Sequence, residues 1–463
     1  MKSLFKQLAV IAIWSLTIYF AWLAGPWTSD NSTGDEEEHD AMFHMHQPLH
    51  EGGKVTIKGQ LHFEVVSGPD GNHRLWLSNA FRQEISPEGY RVKLQIEPLQ
   101  GRPQEVAFEQ VGRTFELQAT TKPLLGQAWL ILSGRLGDAA AFDNVRLFWD
   151  YDLESIGVRP PLGLDPMLPR SPGNPLTPDK AKLGRDLFFD TQLSADGSIS
   201  CAMCHKPEFA FTDRRSVSTG IAGLQGNRNA TSVLNVAYLP LIEWDGASRT
   251  LEQQARIPLF SEHEMGNQNE TDLVARLRPD YGARTQEVFG EPLSLETIAK
   301  ALACYERTLL SGNSSFDRFE AGMVSAMNQS ARRGRSLFFG KANCGNCHVP
   351  PLFTDHDFHN LGVGWSEDPD ADTGRFKVTG DSRDRGKFRT PSLRDVTRTG
   401  PYMHDGSVPT LRQVLAFYSR GGRQNPNLDP LINPLVLSPE EINDLLAFLK
   451  TLEGRHEGIT DDE

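Results

Sequence analysis

The pentapeptides Cys201-Ala202-Met203-Cys204-His205 and Cys344-Gly345-Asn346-Cys347-His348 decide the fold of this chain. Two thiols three positions apart on a short helical turn can bond the two vinyl groups of one haem. The adjacent histidine then reaches the iron as its proximal ligand. Because the pattern occurs twice, the sequence predicts two covalently attached haems of the c type.

Two other uses of these cysteines have to be weighed. A zinc site built from two Cys-x-x-Cys knuckles needs closely spaced ligands and leaves the histidine after each pair unexplained. The spacing argues equally against structural disulfides. The fifth cysteine, Cys304, lies in a helical pattern with Ile298 and Leu302, which favours a small buried hydrophobe over a reactive thiol.

The surroundings of the two pentapeptides also match each other. Leu183-Gly-Arg-Asp-Leu-Phe-Phe189 precedes the first, and Arg333-Gly-Arg-Ser-Leu-Phe-Phe339 precedes the second. Each histidine is followed within a few residues by Phe-Thr-Asp, ending at Asp213 and Asp355. A repeat of this kind indicates a duplicated supersecondary unit, here two cytochrome c domains in tandem.

Helix boundaries are visible at both ends of the repeated region. Thr177-Pro178 supplies an N-cap and a first-turn proline, and Ser438-Pro439-Glu440-Glu441 supplies the same pair with a capping-box glutamate. The last helix carries apolar residues on one face, as packing against a haem domain requires.

The N-terminus has the order of an export signal. Basic Lys2 and Lys6 precede an apolar stretch from residue 8 to residue 24, and a polar, acidic run follows from residue 28 to residue 40. The apolar stretch is at the short end of what spans a bilayer, so a cleaved peptide and an uncleaved membrane anchor both remain open. Either predicts a periplasmic protein.

The formal net charge of the 463 residues is -13, which argues against nucleic acid as a partner because that recognition relies on basic surface. Small basic electron donors remain compatible with this charge.

Residues 51 to 152 lack helical periodicity and show short alternating runs separated by Gly-, Pro- and Asn-containing turns. Runs of this kind predict a small β-sandwich. They are Lys54–Ile57, Leu61–Val66, Arg74–Leu77, Arg91–Ile96 and Trp129–Leu132.

Histidine and methionine are dense just before the first of these runs. Imidazole and thioether donors suit copper, so His44, His46 and His50 are candidate copper ligands. A flexible, solvated linker is the competing interpretation.

From about Gly163 to Gly454 the chain resembles the bacterial di-haem cytochrome c peroxidases and their relative that matures the tryptophan cofactor of methylamine dehydrogenase. Trp244-Asp245-Gly246, Gln254 and Glu264 stand at the spacings these enzymes use. The resemblance implies that Trp244 relays electrons between the haems, and that Gln254 and Glu264 line the distal side of the first haem. A carboxyl suits that role, because splitting a peroxide bond needs a group that moves a proton between the two oxygens.

The chain departs from the peroxidase pattern in the loop after the first haem. Many of these peroxidases place there a histidine that caps the iron until activation, and the matching position is Ile221. An apolar side chain cannot ligate iron. We therefore expect a five-coordinate first haem, as in the cofactor-maturing relative.

The resemblance places the distal ligand of the second haem at Tyr418, where peroxidases often have methionine and the cofactor-maturing relative has tyrosine. Tyrosinate would favour the ferric state. Met403, in Pro401-Tyr402-Met403-His404, is the competing ligand, and a packing role for Tyr418 is a further alternative. The family also holds a calcium ion between its haem domains, at positions that match Asn229, Thr399 and Pro401.

The expected fold is mainly α, with two tandem cytochrome c domains preceded by a small all-β, sandwich-like domain. The expected segments are a signal peptide or anchor at 1–27, an acidic, His- and Met-rich linker at 28–50, the β domain at 51–152, a peroxidatic haem domain at 160–310 and an electron-transfer haem domain at 311–456.

The expected function is a di-haem peroxidase that reduces hydrogen peroxide at the first haem. Its electrons would come from a small cytochrome or copper protein. One alternative is the oxidative maturation of a partner protein's side chains, and another is a non-catalytic electron carrier.

Overall fold

A computed structural model of the chain describes residue 50 and residues 53–58, 61–79, 83–98, 102–112, 114–124, 126–136, 141–151, 158–165, 168–171, 173–368 and 371–457. The predicted export signal at 1–27 and the candidate ligands His44 and His46 lie outside the described residues. In the part that is described, no helix has the length and apolar character needed to span a bilayer.

Alternation along the chain builds the N-terminal strands. In strand β4, for example, Val92, Leu94 and Ile96 are buried while Arg91 and Lys93 are exposed. All five predicted runs lie in strands. The nine strands of this region are β1 Lys54–Lys58, β2 Leu61–Ser67, β3 Asn72–Ser78, β4 Tyr90–Pro98, β5 Gln104–Ala107, β6 Glu109–Gln110, β7 Leu117–Thr120, β8 Gln127–Leu136 and β9 Ala141–Asp150.

These strands form two antiparallel sheets. One sheet has the order β1-β2-β3-β7-β6 and the other has the order β5-β4-β8-β9. Phe63 and Leu75 of the first sheet share one hydrophobic core with Leu94 and Leu130 of the second. The region is therefore a two-layer β structure, as the alternation predicted.

A helical region follows the strands. Its α-helices are α1 Pro178–Phe189, α2 Cys201–Cys204, α3 Leu251–Gln254, α4 Arg256–Phe260, α5 Glu270–Phe289, α6 Leu295–Thr308, α7 Ser315–Glu320, α8 Gln329–Phe339, α9 Phe376–Thr379, α10 Leu411–Ser419 and α11 Pro439–Lys450. Single 3₁₀ turns cover Thr191–Leu193, Pro207–Phe209, Ile221–Gly223, Val236–Tyr238, Val324–Ala326, Cys344–Asn346, Ser382–Asp384 and Val396–Arg398. Two short strand pairs join β10 Leu310–Gly312 to β13 Arg455–Glu457, and β11 Phe358–His359 to β12 Phe388–Arg389.

The predicted helix caps are present. The Thr177 hydroxyl accepts a hydrogen bond from the backbone N–H of Lys180 at the start of α1. At α11, Ser438 and Glu441 form a reciprocal capping box, with bonds of 2.7 and 3.1 Å. Such caps satisfy N–H groups that the first helical turn leaves without intrahelical partners.

The repeat in the sequence is a repeat in packing. Helix α1 crosses α6, and helix α8 crosses α11. At each crossing the glycine of the repeated motif touches the partner backbone: a methyl group on Gly184 would overlap the carbonyl of Ala301, and one on Gly334 would overlap the carbonyl of Asp444. The same residue of the repeat therefore permits the same close helix contact in both halves.

Each crossing contributes to its own hydrophobic core. Leu183 and Phe188 of α1 lie in a cluster with Leu302 of α6 and Leu277 of α5. The second cluster combines Phe338 of α8 with Leu415 of α10 and with Leu445, Phe448 and Leu449 of α11. The two pentapeptides therefore pack against two separate hydrophobic cores.

A buried ion pair lies beside the second hydrophobic core. Arg394 makes two hydrogen bonds of 2.9 Å to the carboxylate of Asp317 in α7 and a third, of 2.7 Å, to the carbonyl of Gly163. Both charged side chains are almost fully buried. Such a pair needs further hydrogen bonds to offset its desolvation, and the Gly163 carbonyl supplies one.

We expect Gly334→Ala to lower the free energy of unfolding by about 1–3 kcal/mol, because the added methyl group would force α8 away from the backbone of α11. Thermal unfolding of the haem-loaded protein measures this change. The matched control is Gly282→Ala inside α5, where the new methyl group meets only the flexible side chain of Arg278. Equal melting temperatures for the two variants would show that the crossing is not tight.

Candidate functional site

The first pentapeptide forms a single helical turn, α2, with His205 directly after it. The ring Nδ1 of His205 lies 3.1 Å from the carbonyl oxygen of Phe211, and Nδ1–H donates a hydrogen bond to that oxygen. Burial lowers the pKa of His205 and so favours the neutral ring. A neutral imidazole that donates through Nδ1 can bind a metal ion through Nε2.

The second pentapeptide repeats this arrangement on a 3₁₀ turn. The Nδ1 of His348 donates to the carbonyl of Phe353 at 2.9 Å, and burial lowers the pKa of His348 as well. Both acceptor carbonyls belong to a phenylalanine of the repeated Phe-containing segment. Each copy of the repeat therefore supplies a histidine and also the carbonyl oxygen that orients its ring.

The cysteines are free thiols in the structure. No disulfide joins any of the five, and burial raises the pKa of Cys201, Cys204 and Cys344. Over the described residues, the only trio of metal-binding side chains within reach of one ion is Cys347, Asp355 and His359. The two cysteine pairs thus form no shared zinc site, and vinyl attachment remains the use that fits them.

The trio around Cys347 is already held by hydrogen bonds. His359 lies 3.0 Å from Asp355 and 2.6 Å from Asp429 through its two ring nitrogens. Hydrogen bonds to Cys347, Asp429 and Asp355 raise the pKa of His359 to about 10. An imidazolium between two carboxylates explains this cluster without a metal ion.

A cavity of about 300 Å³ opens beside the second pentapeptide and is named the second cavity after it. Its wall includes Cys344, Cys347 and His348, and also both predicted distal ligands, Tyr418 and Met403. Tyr418 comes from α10, and burial together with the nearby cysteines raises its pKa. The cavity therefore presents a proximal histidine and two candidate distal ligands to the same space, which suits a haem.

Of the two predicted distal residues of the first haem, Glu264 lies near the first pentapeptide. Glu264 is close enough to Cys201 and Cys204 to raise the pKa of both thiols. Glu264 is an exposed residue, and desolvation of its carboxyl by the surrounding protein raises its pKa against the opposing effects of Ser261 and His263. Gln254 ends α3 and is half-buried.

Ile221 lies directly beside Glu264. The backbone N–H of Ile221 donates to the carbonyl of Glu264 at 2.9 Å, and its side chain packs where a methyl group on Gly266 would stand. A 3₁₀ turn at Ile221–Gly223 and a bridge between Thr219 and Gln225 hold the loop. Ile221 is thus bonded through its backbone to Glu264, the residue that the resemblance assigned to peroxide chemistry.

Trp244 joins the two halves of the helical region. Its indole N–H donates to the carbonyl of Asn229 at 2.9 Å, and its own carbonyl accepts from the backbone N–H of Arg389 at 2.7 Å. The indole lines the second cavity and meets the His404 ring edge to face, with centroids 6.4 Å apart. This position suits the predicted relay.

The three predicted calcium-binding residues line one cavity. Asn229, Thr399 and Pro401 all line the same cavity. The backbone N–H of Asn229 donates to the carbonyl of His404 at 2.7 Å, and its side-chain amide donates to the carbonyl of Arg215 at 2.8 Å. The amide oxygen of Asn229 and the backbone carbonyls of Thr399 and Pro401 are the hard donors that calcium prefers.

Of the three candidate copper ligands, only His50 lies in the described part of the chain. Its Nδ1 is 3.0 Å from Glu64, its Nε2 is 3.5 Å from Glu84, and its ring stacks on Trp76 with centroids 3.8 Å apart. The glutamates lie at different ring nitrogens, so these described groups do not converge on one ion.

Sequence reasoning missed three charged residues near the two centres. Burial and Asp245 raise the pKa of Glu243 to about 7. Burial raises the pKa of Glu306 to about 8, and this carboxyl lies near Cys201. Arg389 is buried in the wall of the second cavity. No spacing rule singles out such residues, since only the fold removes them from water. Cys304 is fully buried, as predicted.

Comparisons with known proteins agree with this geometry. A family model for the di-haem cytochrome c peroxidases matches residues 178–325. The chain is 40% identical over 297 residues to the methylamine utilization protein MauG of Methylorubrum extorquens, covering 63% of this chain and 83% of that protein. It is 39% identical over 336 residues to the cytochrome-c peroxidase IdrP1 of Denitromonas iodatirespirans, covering 65% and 89%.

Solved structures show the same likeness. A MauG-like protein associated with microbial copper homeostasis superposes with a TM-score of 0.58 at 37% identity, over 66% of this chain and 96% of that one. The di-haem peroxidase BthA of Burkholderia thailandensis gives a TM-score of 0.53 at 25% identity, over 63% of this chain and 89% of that one.

Proposed function

The chain belongs to the di-haem cytochrome c peroxidase family, and we propose that it reduces hydrogen peroxide at a first haem on Cys201, Cys204 and His205 with electrons relayed from a second. The second haem is carried by Cys344, Cys347 and His348. As a member of this family the chain is a peroxidase-type oxidoreductase. The haems supply iron that exchanges electrons with peroxide and with a donor.

The placement of Ile221 and Glu264 together beside the first pentapeptide carries the proposal. A side chain that cannot bind metal occupies the position where many of these enzymes have a capping histidine, and the hydrogen bond from Ile221 to Glu264 holds it there. The distal side of the first haem is then open to peroxide without prior reduction.

Electron paramagnetic resonance of the resting ferric protein tests the open site. We expect a high-spin signal that disappears within seconds of adding one equivalent of peroxide without a reductant. Ile221→His should convert this signal to low-spin and stop the fast reaction, because the introduced imidazole can close the iron. Ile221→Val keeps an apolar side chain and should behave as the unsubstituted protein does. A low-spin, unreactive resting state in the unsubstituted protein would instead indicate a reductively activated peroxidase or a carrier.

Glu264 is the proposed proton carrier. Its carboxylate takes the proton from the near oxygen of peroxide and delivers it to the leaving oxygen, while Gln254 orients the peroxide by hydrogen bonding. Desolvation of the carboxyl supports this role, because it raises the pKa of Glu264 above that of a fully hydrated glutamate.

We expect Glu264→Gln to slow the loss of the high-spin signal by about 10²–10⁴-fold, the usual contribution of one acid–base group. In the unsubstituted protein the rate should rise with pH through the raised pKa of Glu264, because the ionised form takes the proton. In the variant this rise should vanish. Stopped-flow spectra across pH measure both effects. Glu262→Gln, whose side chain is 82% exposed, is the control. A variant with the unsubstituted rate and pH profile would remove Glu264 from the mechanism.

Trp244 is the proposed relay between the haems, and Tyr418 is the proposed distal ligand of the second haem, with Met403 as its competitor. A cation such as calcium at Asn229, Thr399 and Pro401 would brace this junction, because Asn229 also accepts the indole N–H of Trp244. Metal analysis of the purified protein tests the calcium proposal.

Two classes of electron donor fit this centre. A small cytochrome or copper protein would make the chain a peroxidase in the strict sense. Side chains of a partner protein would make it a maturation enzyme, and the likeness to a methylamine utilization protein together with Ile221 and Tyr418 favours that alternative. Peroxide reduction is common to both. We further propose export to the periplasm, with residues 1–27 as signal or anchor and haem domains at 160–310 and 311–456.

Copper binding near His50 is a second candidate function. The density of histidine and methionine between residues 39 and 50 and the likeness to a protein associated with copper homeostasis favour it, with His44 and His46 as the proposed further ligands. We expect His50→Ala to reduce the copper that the protein retains after dialysis, because one imidazole donor is lost. His263→Ala removes an exposed histidine of the helical region and serves as control. Equal copper in both variants would exclude His50 as a ligand.

A further inference from the structure

The wall of the second cavity carries positive charge and no carboxylate. Among the described residues that line it there is no aspartate or glutamate, but there are two arginines, Arg389 and Arg394. Asp317 neutralises Arg394 through two hydrogen bonds of 2.9 Å. No carboxylate in the described chain lies within ion-pair distance of Arg389. The cavity therefore has one guanidinium charge that the protein does not neutralise.

Arg389 is deeply buried, with 4% of its surface exposed. Its side chain donates only to neutral acceptors: Nε to the carbonyl of Glu243 at 3.1 Å, and Nη1 to the carbonyl of Thr390 at 3.3 Å. Burial alone lowers the pKa of Arg389, to about 10, so the side chain stays charged at neutral pH. Buried charges in proteins are almost always paired, and this one requires an anion from outside the chain.

A haem supplies such an anion. Cys344 and Cys347 would bond the two vinyl groups of the haem, and a haem also carries two propionate carboxylates. Arginine is suited to a carboxylate because its planar fork can donate two parallel hydrogen bonds. We propose that Arg389 pairs with a propionate of the second haem and is a positioning residue that fixes the Trp244 segment against that haem.

The link to Trp244 is direct. The Arg389 guanidinium donates to the carbonyl of Glu243, and the Arg389 backbone N–H donates to the carbonyl of Trp244 at 2.7 Å. One residue thus contacts the cavity with its side chain and the relay segment with both its side chain and its backbone. Loading of the cofactor and placement of the indole are coupled through it.

The pairing has an electrochemical consequence. An unpaired propionate stabilises the ferric state and lowers the haem's reduction potential, whereas a paired one does so less. A propionate that has lost its cation also binds a proton more readily, because the nearby positive charge no longer favours ionisation. The potential then depends on pH across the neutral range.

Spectroelectrochemical titration of both haems in the loaded full-length protein tests the proposal. We expect Arg389→Met to lower the midpoint potential of the second haem and to give it a dependence on pH that the unsubstituted protein lacks. Arg389→Lys keeps the charge and should retain most of the unsubstituted behaviour. Arg383→Met, which removes a surface arginine with 85% exposure, is the matched control and should leave both potentials unchanged.

Every outcome bears on the proposal. Loss of the second haem from Arg389→Met, but not from Arg389→Lys, would support it, because the charge would then be needed to hold the cofactor. Unchanged potentials in Arg389→Met would overturn it. So would equal loss of the second haem from both variants, because the carbonyl contacts of the guanidinium would then matter rather than its charge.

This inference rests on the second haem of the proposed function, but not on peroxide turnover. Potentials are measured without peroxide, so a protein that is inert to peroxide can still show the shift. A fully reactive protein can likewise fail to show it.

Discussion

The arrangement of this chain depends on one hydrogen bond that occurs twice, from a histidine Nδ1–H to the carbonyl of a phenylalanine a few residues later. It sets the tautomer and direction of His205 and His348, and so determines where each metal ligand points. The phenylalanine rings are buried, which anchors each acceptor carbonyl in a hydrophobic core. Each core is in turn bounded by a pair of crossing helices. The orientation of the two histidine rings therefore depends on the packing of the two hydrophobic cores. That packing depends in turn on the helix crossings of the repeated motif.

Much of the fold follows from local patterns. Alternation predicted five strands of the β region, and capping residues predicted the first residues of α1 and α11, because these patterns act over a few neighbouring positions. Strand β9 was missed for a physical reason. The register between β8 and β9 shifts between Leu132 and Gly134, and Phe142 and Val145 are both buried although they are three positions apart. A bulge of that kind breaks the alternation that identifies a strand.

The residues of the candidate site differ in how far the sequence alone reveals them. The haem-binding residues follow from the pentapeptides themselves, whereas Trp244, Gln254 and Glu264 follow only from resemblance, since a lone tryptophan or glutamate has no distinctive spacing. Arg389 and Glu243 belong to neither class. Their contact joins residues 146 positions apart in the sequence, and it became visible only once the chain was folded. Side chains whose importance comes from desolvation are hidden from any method that considers one segment at a time.

The two glycine crossings have a consequence for how the halves of this chain could come to differ. Gly184 and Gly334 fix the first and last helices of each half against each other, whatever lies between. In the first half, that interval holds helices α2 to α5 and the Ile221 loop, and in the second it holds mostly irregular chain with α9 and α10. A duplicated frame closed at its ends tolerates remodelling of its interior. Either copy can therefore change between its two crossing helices without losing the scaffold that both halves share.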